Sequence, residues 1–89
     1  MNRVVLDGSQ LADAGAVYRA LAEAFRFPAY FGHNPDALWD ALGDYSGEPV
    51  TIVWNHADCS AKQFGPEFDA IVQVLQRAAT LGILKFQRA

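Results

Sequence analysis

Three short apolar runs rich in β-branched residues constrain the fold most: Arg3-Val4-Val5-Leu6-Asp7, Val50-Thr51-Ile52-Val53-Trp54 and Ile83-Leu84-Lys85-Phe86. The segments between them are far longer than hairpin turns and carry helical spacing. Strands joined through helices pair in parallel by right-handed crossovers. The expected architecture is therefore α/β, a three-stranded parallel sheet near residues 2–7, 50–54 and 83–87 with helices packed against it. The nearly continuous apolar character of the first run predicts a strand covered on both faces or central in the sheet.

Leu11, Ala14, Val17, Leu21, Ala24 and Phe25 recur at helical spacing, with Asp13 as a cap, Gly15 as a weak point in the first turn and Phe27-Pro28 as the stop. Pro66-Glu67 opens the longest helix. Its stripe of Phe68, Ile71, Val72, Leu75, Ala78 and Ala79 closes at Gly82. Asn55 to Phe64 shows no clear period and reads as loop with at most one irregular helical turn. Glu48-Pro49 lies in turn chemistry, where trans is the default and cis an option.

Between the first helix and the second strand lies the most distinctive stretch, Phe27 to Tyr45, an aromatic loop running into a short helix. Asn34 suits the N-cap, Pro35 the first helical position and Asp36 the positive end of the dipole, while Gly43 offers a stop. At about 100° per residue, Ala37, Leu38, Ala41 and Leu42 share one face, and Asp36, Asp40, Gly43 and Asp44 the other. Trp39 falls on the border. Such a helix is a platform for presenting carboxylates.

The charge of the chain is uneven although its net value is only −3. From Phe27 to Gln63 the acids are Asp36, Asp40, Asp44, Glu48 and Asp58 against Lys62 alone, whereas the last thirteen residues hold Arg77, Lys85, Arg88 and no acid. An acidic middle disfavours direct nucleic-acid binding and favours a basic partner, with a merely solvated face as the plainer alternative. Tyr30, Phe31, Trp39 and Tyr45 crowd the same stretch. Aromatics beside acids suit a recognition surface, although Phe31 and Tyr45 taken singly suit core packing equally well.

Catalytic and cofactor chemistry finds little support. His33, His56 and Cys59 match no zinc spacing, so no metal is expected, and no glycine-rich phosphate loop precedes a helix. Asp36 and Asp40 at i and i+4 are a surface pair rather than an acid–base dyad. No cofactor is expected. Eighty-nine residues suffice for one small domain, 1–89, burying a little over about 60% of its unfolded surface. The single cysteine fits a reducing compartment, and neither a signal peptide nor a membrane span is apparent, so a cytoplasmic location is expected.

The run Tyr30-Phe31-Gly32-His33-Asn34-Pro35-Asp36-Ala37-Leu38-Trp39-Asp40 resembles the signature of the barstar family, intracellular inhibitors of a secreted ribonuclease. The likeness extends along nearly the whole chain in length and element order. It implies an inhibitor rather than an enzyme, monomeric when free, that blocks a basic, guanyl-preferring extracellular ribonuclease. In that reading Asp40 occupies the phosphate site and Asp36 pairs with the basic rim. Tyr30 and Trp39 pack at the entrance, Gly32 and Asn34 shape the loop, and Phe31, Gly43 and Asp44 complete the surface. Three positions depart from the family pattern: Pro35 replaces a large apolar residue, Asp44 a small one, and Arg77 an acid. An arginine there would repel a basic rim unless the target has an acid opposite it. An immunity protein for an unrelated toxin, or a regulatory interaction domain, is the alternative from a different class.

Overall fold

The three β-rich runs pair in parallel as one sheet in the order β1 (Arg3–Asp7), β2 (Val50–Asn55), β3 (Leu84–Arg88). The computed structural model describes residues 3–29 and 31–88. Residue 2, expected in the first strand, lies outside them. Register aligns Val4 with Ile52 and Ile52 with Phe86 on one face, and Val5 with Val53 and Val53 with Gln87 on the other.

Because the strand order follows the sequence, two right-handed crossovers carry their helices to the same side of the sheet. Val4, Leu6, Val50, Ile52, Trp54 and Leu84 face those helices and are buried, whereas Val5 on the opposite face is 57% exposed. This corrects the expectation for the first strand. β1 is an edge strand covered on one face, and β2 is the central strand.

Helix α1 (Ala14–Phe25) starts where the Asp13 carboxylate accepts the Ala16 N–H at 3.0 Å. It stops where Arg26 turns into the left-handed region at φ 58°, just ahead of Pro28. Helix α2 (Pro35–Asp44) follows the aromatic loop, and α3 (Ala57–Phe64) and α4 (Pro66–Thr80) lie between β2 and β3. Gly65 separates the last two at φ 64°, ψ −137°, backbone that only glycine adopts without strain. The stripe of α4 is buried as expected at Phe68, Ile71, Val72, Leu75 and Ala78, and Gly82 at φ 81° follows its end.

Two sequence expectations about the helices need correction. The segment taken for loop contains a full two-turn helix, α3, whose inward positions are Ala57 and Ser60 with Ala61 and Phe64 beside them. Gly43 does not stop α2, which continues through it to Asp44 and is capped by Tyr45 in extended conformation. Glu48-Pro49 takes the default trans form, since no cis peptide occurs among the described residues.

Candidate functional site

The loop before α2 is held from within by aromatic contacts. Phe25 stacks on Phe27 with centroids 5.4 Å apart, Phe27 meets Phe31 at 4.8 Å, and Phe31 meets the buried Tyr18 edge-on at 6.3 Å. His33 stacks on the same Tyr18 ring at 5.8 Å. Phe31 and Tyr45 are thus half-buried supports, with Tyr45 set edge-on against Phe25 at 4.9 Å and its hydroxyl donating to the Glu48 carbonyl.

Tyr18 in turn donates to Glu67 Oε2 at 2.7 Å, tying α1 to the first turn of α4. Burial, reinforced by that carboxylate, pushes its phenol well above the ordinary tyrosine range.

α2 is fixed at its start and along one face. Asn34 Oδ1 accepts the Ala37 N–H at 2.8 Å, and Leu38 and Leu42 are fully buried. Asp36, Asp40 and Asp44 are exposed, one helical turn apart. The small residues Ala37 and Ala41, expected on the buried face with the leucines, are instead half-exposed and form the floor of a cleft of about 240 Å³. Phe31, Gly32 and Pro28 make its other wall, and Asp40 and Asp44 stand over it. A second concavity shares Pro28, Ala41 and Asp44 and runs toward Tyr45.

Trp39 is half-buried at the junction of α2 and α4, as its border position predicts. The Arg77 guanidinium of α4 lies 4.7 Å over its ring. The sequence gives no periodic cue for that contact; the only hint is that Trp39 falls between the apolar and acidic faces of its helix.

The structure therefore brings together Phe31, Gly32, Asp40 and Asp44 around one cleft. Asn34 and Asp36 stand at the start of α2, Trp39 faces α4, and Gly43 is exposed in the last turn. Tyr30 lies outside the described residues.

Elsewhere, Asp7, Asn55, His56 and Asp58 line a shallow depression at the carboxyl ends of β1 and β2. Asp7 is held below the usual carboxylate range by the Ser9 hydroxyl and backbone N–H. Among the described residues no three His, Cys, Asp or Glu side chains converge as a metal site, and no helix is long and apolar enough to cross a membrane.

An open three-stranded parallel sheet with four helices, one of which, α2, presents acids beside a cleft walled by Phe31, defines a small α/β protein of barstar type. The sequence profile of the family described as barstar (barnase inhibitor) matches residues 1–83. A protein of Bacillus subtilis (strain 168) named "Putative ribonuclease inhibitor YrdF" is 31% identical over 78 residues, spanning 88% of this chain and 86% of its own length. The chain belongs to the barstar family.

Proposed function

We propose that this protein is an inhibitor of a basic, secreted, guanyl-preferring ribonuclease, binding it as a monomer in the cytoplasm of the producing cell and catalysing nothing itself. The observation that carries the reading is the row of exposed carboxylates on α2 beside an apolar cleft, on a helix anchored by Leu38, Leu42 and the Asn34 cap. Family membership and the name of the Bacillus relative support it.

The mechanism follows from what a ribonuclease must contain. A cleft that holds RNA phosphates is lined with Arg, Lys and His donors, and a carboxylate on a rigid helix satisfies them as a phosphate would. Asp40 has the central position, between Asp36 one turn before it and Asp44 one turn after. Asp36 pairs with the basic rim, and Asn34 and Gly32 shape the loop against the partner. Pre-placement on α2 limits the side-chain entropy lost on docking.

Asp40→Ala tests the reading. Removing the carboxylate leaves desolvated cations of the ribonuclease without a counter-charge, a loss of about 2–5 kcal/mol in binding. Asp40 is exposed, so its truncation leaves the Tm nearly unchanged. Asp58→Ala, at the start of α3 and away from this surface, leaves inhibition unchanged and alters Tm only slightly. Full inhibition by the Asp40→Ala protein would refute the phosphate-mimic mechanism.

A further inference from the structure

Next to the acidic row, the surface changes sign at a single well-built point. The Arg77 guanidinium lies 4.7 Å over the Trp39 ring, and Arg77 itself is exposed. Leu81, at the C-cap of α4, donates its backbone N–H to the Arg77 carbonyl at 3.1 Å and is 66% exposed. A cation and an uncovered apolar side chain thus stand one turn apart, beside the helix that presents Asp36 and Asp40.

Stacking decides what this arginine can do. A guanidinium over an aromatic face is held there by its charge, and its five N–H donors form a planar fork. Trp39 is half-buried and its helix is capped, so the ring is a fixed support. The contact therefore limits the freedom of a long side chain before any partner arrives, while the exposed guanidinium retains N–H donors whose fork matches a carboxylate.

We propose that Arg77, seated on Trp39, is a specificity determinant that receives a carboxylate of the partner ribonuclease beside its basic cleft, with Leu81 covering an adjoining apolar patch. This rests on the inhibitor reading above and adds the chemistry of the partner: basic opposite α2, acidic and apolar opposite the end of α4. A ribonuclease with a cation at the α4 position is rejected, because two like charges would be desolvated against each other.

The test uses the ribonuclease most tightly inhibited by the wild-type protein among a panel of small secreted microbial ribonucleases, barnase included. Affinities are measured for the wild-type protein and for Arg77→Glu, Arg77→Lys, Leu81→Asn and Asp40→Ala. Arg77→Glu is expected to weaken binding by about tenfold to a hundredfold, beyond the small drop in Tm of the free protein that comes from losing the contact with Trp39 and the cation in the last turn of α4. Arg77→Lys recovers part of the loss at most, since an ammonium cannot offer a flat, two-pronged edge. Leu81→Asn weakens binding several-fold, and one acid-to-lysine change at the cleft rim of the ribonuclease restores affinity for Arg77→Glu. Binding that depends on Asp40 yet is equal or tighter with Arg77→Glu overturns the Arg77 inference and leaves the inhibitor reading standing. A wild-type protein that inhibits none of the panel overturns both.

Discussion

Tyr18 concentrates several roles in one side chain. It is buried on α1, its ring supports Phe31 and His33 of the loop, and its hydroxyl reaches across to Glu67 of α4. Burial first, and the Glu67 carboxylate second, hold its proton more tightly than in the unfolded chain. A group whose folded pKa is raised contributes stability in full below the unfolded value, about 10 for tyrosine, and loses it as pH climbs toward the folded value. Thermal melts between about pH 8 and 12 are therefore expected to show a falling Tm above about pH 10. Tyr18→Phe removes that part of the alkaline slope, at the expense of the Glu67 hydrogen bond, about 1 kcal/mol at neutral pH. An unchanged slope in Tyr18→Phe would show that this phenol is not the titrating group.

At the scale of elements, α2 and α3 show how differently two short helices announce themselves. α2 has its cap, proline and acid in order at Asn34, Pro35 and Asp36, all readable from the chain, and the Asn34–Ala37 bond sits where that reading places it. Asn34→Ala should cost about 1 kcal/mol of stability, measured by denaturant unfolding, and should weaken inhibition as well, because the same helix start positions the loop. α3 has neither cap nor proline, only Asp58 in its first turn. His56 enters it at φ 52° with no side-chain cap, and the inward residues are Ala57, Ser60 and Ala61, too small or too polar to register as an apolar stripe. What fixes the helix is tertiary: the fully buried Ser60 hydroxyl accepts the Trp54 indole N–H at 3.1 Å, joining α3 to β2. Ser60→Ala strands that donor and is expected to lower stability by about 1–3 kcal/mol, read from the denaturation midpoint. The same limit explains Ala37 and Ala41. Periodicity groups them with Leu38 and Leu42, but both are half-exposed and line the cleft under Asp40. Trp39 was legible as a border residue, whereas its contact with Arg77 depends on where α4 crosses α2, which no local pattern encodes.

Over the whole molecule, two of the seven Lys and Arg residues are set apart from the acids by the sheet itself. Asp36, Asp40 and Asp44 line α2, while Arg3 and Lys85, both in register with Thr51, lie on the outer face of the sheet, away from the helices. The crossover rule that puts the helices on one side thus also separates the acidic surface from these basic residues. An asymmetric field of this kind orients a basic partner during diffusion, and ions screen it within about 10 Å at 0.1 M salt. Association with a basic ribonuclease is therefore expected to slow about tenfold or more between low salt and about 0.5 M, while dissociation changes little, because the contacts formed after docking are shielded from solvent. Stopped-flow association and separate dissociation measurements distinguish the two. Asp36→Asn and Asp44→Asn together should flatten the salt dependence of association, because they remove two of the three charges that make the field on α2. Lys85→Gln, on the far face, should leave it unchanged. An association rate that is independent of salt, or that responds to Lys85 as strongly as to the α2 aspartates, would show that the field of α2 does not guide the encounter.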